Sequence, residues 1–568
     1  MISINREHIA KAIGELVYEE LLVLNTDENN RGFVEFGHAR YEFDFYLGVW
    51  GWPAINPDSL VKWLNKDQSE LRVDLFYIEL KETLKVDDFF LAPFLAEVSS
   101  SLYAEGLRLN LPKRSIKDIF ALTDEEMQAY FPGHPKILAH KGRVGWSIED
   151  QRKYSPELST GFQLIWLLVD KNLCSIESFI DIDQVIENSF CGRAKDELLD
   201  ELKKHSVKDQ VLLPVHPWQW ENKIEYFYAN EINNGKIVSL GVRGDFYQPQ
   251  ISLRSLTNLS RRNQLDIKLP LSILNTSAIR GLTKRHLQTA PELSQWVKKS
   301  IESDRFFDEH PTFVQQEVRG VYVQSGIFTE LASSPYHYQE HLGAVWREPT
   351  SYFYDYSHKD TRVLMTGGLL FEQNNDSLIH FLIEESGLSA KDWVRAYCNS
   401  VLLPLYHLLR VHGIGVVAHG QNIQVILKNH IPSGLVIKDF GGDIRLSDRH
   451  HDSLFKNTSS PVFLPENYLF HDLFTGHLVT VMRFLSSLLH RHELLPEEQF
   501  YQILSEQITC YHSKHCVGET NHPLNLLQSP VAKVLVNRVR FEKGYAEQRE
   551  RFAPVLGTPL VNPLKGIL

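Results

Sequence analysis

The chain has 568 residues, with 59 Lys and Arg against 71 Asp and Glu, a formal net charge of −12. Hydrophobic residues make up 43% and charged residues 23%, the proportions of a folded, water-soluble protein, which excludes disordered, collagen-like and coiled-coil chains. The acidic balance argues against a polyanion binder, so nucleic acid is not an expected partner. At about 100–200 residues per domain, the length predicts three or four folding units or one large enzyme of packed subdomains.

Five cysteines in so long a chain cannot build a disulfide framework, and the odd count leaves at least one thiol unpaired, which favours a reducing, cytoplasmic setting. Cys510 and Cys516 bracket His512 and His515, but C-x-H-x-x-H-C matches no common zinc template. The N-terminus has no basic region followed by an apolar stretch, so export is not expected. Ile9, Ile13, Leu16, Val17 and Leu21 instead mark one face of an amphipathic helix. No apolar run approaches about 18 residues, so a membrane partner is not expected either.

In chain order, residues 1–130 read as mainly helical with short strands, one of them near 77–86. A Gly/Pro-punctuated loop follows at 131–146, then a helix near 157–172. From 211 to about 370, β-branched and alternating stretches predict sheet. A helical pattern from Trp393 to His412 ends at Gly413, a natural left-handed cap. Next come a strand at 423–429, a turn at Pro432–Gly434, a strand at 435–439 and a glycine turn. Residues 473–492 and 530–541 read as helical. Segregated helices and sheets make the fold class α+β.

Four features carry chemistry. Between Gln250 and His286 lie Arg254, Arg261, Arg262, Lys268, Arg280, Lys284 and Arg285, with Asp266 the only acid. Interleaved hydroxyls at Ser252, Ser255, Thr257, Thr276 and Ser277 complete a kit for holding phosphates or carboxylates, with a solvated basic edge strand as the alternative. His419-Gly-Gln-Asn422, a strand pair and Lys438-Asp439-Phe-Gly-Gly442 follow the outline of kinase-like phosphotransferases, where Asp439 would hold magnesium and Asn422 assist. The loop offers Gln421 where a kinase needs a carboxylate base, which disfavours phosphate transfer to a hydroxyl while leaving nucleotide and metal binding open. Gly133-His-Pro135, with Lys-Gly-Arg-Val-Gly at Lys141–Gly145, and Val215–Gln219 are glycine- or proline-flanked loops, and the histidine of the second, His216, reads as structural. No dinucleotide fingerprint, phosphate loop or nucleophile elbow occurs.

Taken in order, GHP with K-x-R-x-G at 133–145, YSPEL at 154–158, PVHPWQ at 214–219, SLRS at 252–255, KLPLSILNTSAIR at 268–280, GIGVVAHGQN at 413–422 and KDFGG at 438–442 resemble the IucA/IucC family of template-independent siderophore synthetases. The resemblance implies a cupped-hand fold of thumb (1–135), fingers rich in antiparallel sheet (136–385) and a faintly kinase-like palm (386–568). It implies siderophore biosynthesis by ATP- and magnesium-dependent adenylation of citrate or a citrate derivative. An amine or hydroxyl then captures the acyl group, with release of AMP and pyrophosphate.

Carried over residue by residue, the resemblance places His134, Ser252, Arg254, Lys268, Arg280, His419, Asn422 and Asp439 on ATP. Arg280, Lys268 and His419 act in catalysis, Thr276, Arg280 and Arg143 bind the substrate carboxylate, and Asp439 holds the metal. Small-molecule substrates (citrate or a derivative, and a polyamine, amino acid or amino alcohol) and a homodimer are implied as partners. The chain departs from the family pattern at Ile137 and Leu138, where a second His-Pro is usual, at Val417 for Glu, and at Lys438 for Arg. A kinase-like nucleotide binder and a non-catalytic relative are the competing readings.

Overall fold

A computed structural model describes residues 2–205, 207–276, 278–331, 333–354, 360–450, 462–516, 522–543 and 555–565. Ser277 lies outside them. Helices and mainly antiparallel sheets form separate layers, as expected for α+β.

The N-terminal helix Ile2–Tyr18 buries Ile9, Ile13 and Leu16, the face its spacing predicts. It shares a core with a five-stranded antiparallel meander running from Asn25–Thr26 to Asp67–Ser69. Val73–Leu84 and Asp88–Leu109 are helices on that core. The strand expected near 77–86 is therefore helical: Phe76, Tyr77 and Leu80 recur at helical spacing and are buried together.

The central layer is an eight-stranded antiparallel sheet. Its long strands are Phe162–Asp170 and Ile237–Pro249; shorter ones are Asp266–Lys268, Gly343–Arg347 and Glu317–Val323. The helix expected near 157–172 is this first strand. Leu164 to Val169 are all buried, so the strand is apolar on both faces and lacks the alternation that marks a half-exposed strand.

The third core holds the helix from Ala390 to Arg410, which passes through a π-helical segment at Cys398–Leu402. Gly413 follows with φ +62. Strands Ile423–Lys428 and Ile431–Ile437 pair antiparallel, and their turn falls at Asn429 and His430, both at positive φ, rather than at Pro432–Gly434. Residues 466–491 are helical with a π segment at Phe474–Met482. The expected helix at 530–541 divides into a strand, Val531–Leu535, and a short helix, Arg538–Lys543. Among the described residues, no helix is long and apolar enough to cross a membrane.

Candidate active site

A cleft of about 1020 Å³ opens where the three cores meet. All ten residues singled out from the sequence line it: His134, Arg143, Ser252, Arg254, Lys268, Thr276, Arg280, His419, Asn422 and Asp439. Strand ends and turns deliver them. Lys268 ends a strand of the central sheet, Arg280 ends a short hairpin, and Asp439 follows the strand Ile431–Ile437.

Five residues lining the cleft hold left-handed backbone without being glycine: Leu253 (φ 69), Thr276 (φ 51), Asn374 (φ 53), Asn375 (φ 62) and Asp439 (φ 72). For the β-branched Thr276 this conformation is strained, and such strain persists only where surrounding contacts impose it. Arg280 supplies some of them, its Nε donating to the Asn275 carbonyl at 2.7 Å and Nη2 to that of Thr276 at 3.4 Å. Arg254 donates to the Gly281 carbonyl, and Ser252 Oγ accepts from the Ser255 N–H at 3.1 Å.

Lys268 donates to Asp439 Oδ1, and Arg347 stands 3.7 Å from the same oxygen. Burial pushes the Asp439 carboxyl upward, but Lys268, Arg347 and Arg254 outweigh it and hold the group ionised well below the usual carboxylate range. No hydrogen bond from a described residue reaches its Oδ2. One helical turn on, Asp443 Oδ2 accepts from Asn422 Nδ2 at 2.9 Å, so a second carboxylate borders the loop in which Val417 replaces an acid.

His134 and His419 face each other edge to face, ring centres 6.5 Å apart. Backbone N–H groups of Lys136 and Ile137 donate to His134 Nδ1, and that of Gln421 to His419 Nδ1. Both rings therefore carry their proton on Nε2. Burial lowers both pKa values, leaving two neutral N–H donors beside the cations. The His419 loop is braced by His477, whose Nδ1 lies 2.9 Å from the Ala418 carbonyl, and by Gly420, where a Cβ would come 2.7 Å from the Gly367 backbone.

At the other wall Arg143 gives Nη2 to both oxygens of Glu157, at 2.9 and 3.0 Å. Its Nε and Nη1 are buried with no partner among the described residues. Lys11 donates to the His134 carbonyl at 2.7 Å, and burial brings its pKa down to about 7.

Not all of the basic segment serves the cleft. Arg261 turns to Asp245 and Arg262 to Glu125, both at 2.7 Å, as structural ion pairs. His216 is buried, and its Nδ1 accepts the Trp218 N–H at 3.1 Å as a helix cap. Lys11, Arg347 and Asp443 were missed. Asp443 had a signal, four residues after Asp439 on the same short helix, whereas Arg347 and Lys11 reach the site only through tertiary folding.

Comparison with known proteins bears on this geometry. The IucA/IucC family model matches residues 124–371. An aerobactin synthase of Escherichia coli is 33% identical over 99% of this chain and 97% of its own length. The chain belongs to the IucA/IucC family. Among solved IucA/IucC structures, aerobactin synthetase IucC from a hypervirulent Klebsiella pneumoniae superposes with a TM-score of 0.86 at 30% identity, covering 99% of this chain and 98% of that one. A citryl-spermidine/3,4-dihydroxybenzoyl-citryl-spermidine:spermidine ligase of Bacillus anthracis is 26% identical over 77% of this chain and 72% of its own. A second family model, described as ferric iron reductase FhuF-like transporter, matches residues 391–548.

Proposed function

We infer that the protein is a ligase of siderophore biosynthesis that forms amide bonds on citrate or a citrate derivative. Full-length similarity to aerobactin synthase, and similarity over 77% of this chain to a citryl-spermidine ligase, support this class. The observation that carries the chemistry is the cleft itself: four basic side chains from distant segments, Arg143, Arg254, Lys268 and Arg280, converge with two neutral imidazole donors. Such a set suits two polyanions brought to one point, a tricarboxylate and a nucleoside triphosphate.

In this reading a carboxylate oxygen of the substrate attacks the α-phosphorus of ATP and pyrophosphate leaves. The amine then attacks the acyl carbonyl, loses a proton, and AMP leaves. Arg143, in the cleft wall, is the cation assigned to the carboxylate. Arg254, Arg280 and Lys268 neutralise the phosphate oxygens, where charge builds as the α-phosphorus gains a fifth ligand. Ser252 and the Nε2–H groups of His134 and His419 add uncharged donors. The open Oδ2 of Asp439, with Asp443 beside it, fits a magnesium ion, which would screen the phosphates and polarise the leaving pyrophosphate. A homodimer is the assembly this reading takes from its family, and sedimentation velocity tests it.

The deciding experiment measures pyrophosphate, AMP and ADP from purified protein with ATP, magnesium and citrate, 2-oxoglutarate, succinate or no acid, with and without polyamines and amino acids. Citrate-dependent pyrophosphate and AMP with an amide adduct of matching mass is expected. Release of ADP and phosphate would replace this reading with a kinase-like one.

A further inference from the structure

A second group of ligand-type side chains lies outside the cleft. Asp304 follows the helix Lys284–Glu302, His407 sits in the last turn of Leu403–Arg410, and His412 immediately precedes Gly413. Asp304 Oδ2 stands 2.9 Å from His407 Nε2 and 2.8 Å from His412 Nε2, and the three ligand atoms all lie within 4.8 Å of one another. None of the three lines the cleft. We propose that Asp304, His407 and His412 form a structural binding site for one divalent transition-metal ion of zinc's class.

Two imidazoles and a carboxylate are a borderline donor set that suits zinc and disfavours magnesium or calcium, which prefer all-oxygen shells. The set is pre-oriented. Phe306 stacks on His407 with centroids 3.9 Å apart and planes 3° off parallel, and the Phe306 N–H donates to Asp304 Oδ1 at 2.9 Å, which leaves Oδ2 for the histidines. His407 Nδ1 lies 2.9 Å from the Tyr511 hydroxyl, the outer partner a metal-bound imidazole uses to fix its ring.

The protons balance. In the metal-free cluster both imidazoles give their Nε2–H to Asp304, and the Tyr511 O–H donates to His407 Nδ1. With a metal on Nε2 of both rings, each ring's proton resides on Nδ1, and that of His407 donates to the Tyr511 oxygen, so both rings stay neutral. Tetrahedral bonds of about 2.0–2.1 Å space ligand atoms about 3.3 Å apart, so Oδ2 retreats about half an ångström from each imidazole nitrogen, and the two nitrogens, within 4.8 Å of each other, adjust to that spacing. His515, stacked on Tyr511 and with its ring 5.7 Å from that of His407, is placed to approach as a fourth ligand, with water as the other candidate.

Cys510, His512, His515 and Cys516, whose spacing matches no zinc template, do not converge on one another as a ligand set. His512 is engaged by Tyr406 at 2.8 Å and Cys510 is exposed, while His515 alone joins the Asp304 group. The ion would tie the segment after Lys284–Glu302 to the start of the strand Ile414–Val416, which leads into the His419 loop.

The test uses the full chain stripped of metal by chelation. Titration with Zn(II) alone, followed by calorimetry, is expected to give one tight site per chain and a rise in Tm. Co(II) is expected to give the intense visible bands of a four- or five-coordinate ion. Asp304→Asn and His412→Ala, both at partly exposed positions, should abolish the site, and Asp439→Asn should retain it. Weak multi-site binding only, an unchanged isotherm in Asp304→Asn and His412→Ala, a pale octahedral Co(II) spectrum in wild type, or loss of the site in Asp439→Asn would each overturn the proposal. The Co(II) spectrum of wild type decides the matter should the variants fail to fold.

Discussion

Lys268 and Asp439, 171 residues apart in the chain, meet as a largely buried ion pair in the floor of the cleft. Arg347 shares the same carboxylate oxygen and is tied in turn to Glu317 at 2.7 Å, so the pair locks the central sheet to the strand that ends at Ile437. Asp439→Asn preserves shape but strands the buried Lys268, while Arg347 keeps Glu317. Removing one partner of a buried pair costs about 3–5 kcal/mol. We expect a clear fall in Tm, turnover reduced by about 10²–10³ as when a preorganised charge is removed, and a higher magnesium requirement. Thermal melts with magnesium titrations check this, and curves that overlay wild type would take Asp439 out of the metal site.

Much of this site was legible because turn motifs carry their own spacing. Asp439-Phe-Gly-Gly and His419-Gly-Gln-Asn are short, and the local backbone they encode is what the structure contains. The partners that set their charge are another matter. Arg347 reaches Asp439 through an antiparallel register that pairs Asp266 with Arg347 and Lys268 with Val345, and no local pattern announces it. The same limit explains the misread strand. Phe162–Asp170 is covered on both faces, so its side chains show no period of two, and the apolar run Leu164–Val169 fits a buried helix equally well until its sheet neighbours are known.

Arg280 has two tasks that a lysine cannot share. Its Nε and Nη2 hold the carbonyls of Asn275 and Thr276 while the rest of the guanidinium borders the cleft. Arg280→Lys keeps the charge but loses the fork that keeps Thr276 left-handed. Turnover should drop by about a hundredfold, equivalent to two or three kcal/mol, with Tm shifted by only a few degrees. Steady-state kinetics beside circular dichroism separate the two effects; near wild-type turnover would remove Arg280 from the reacting site.

Lys11 predicts a pH effect on binding. Burial sets its pKa near 7, so it is a cation on the acid side and neutral on the basic side of physiological pH. In a cleft built for anions, the KM for the carboxylate should rise as pH climbs through about 7. Lys11→Met should show the high KM at pH 6 already, with a flat profile across that range and kcat little changed. A wild-type inflection that survives in Lys11→Met would assign the titration to another group.

Asp266 sets a pH limit on stability. Burial raises its carboxyl from 3.8 to about 8, against the pull of Arg347 and Lys438. Gln250 donates to Oδ2 at 3.1 Å, while Oδ1 is buried without a partner. Between about pH 4 and pH 8 the denatured chain has released this proton and the folded chain retains it, so the folded state binds more protons and its stability falls as pH rises through that window. Each pH unit of such a difference is worth about 1.4 kcal/mol at most. Asp266→Asn, which mimics the protonated form, removes the slope. Urea melts at pH 5 and pH 8 should show the variant gaining on wild type toward pH 8, and a constant difference between the two proteins would show that Asp266 is ionised in the folded state.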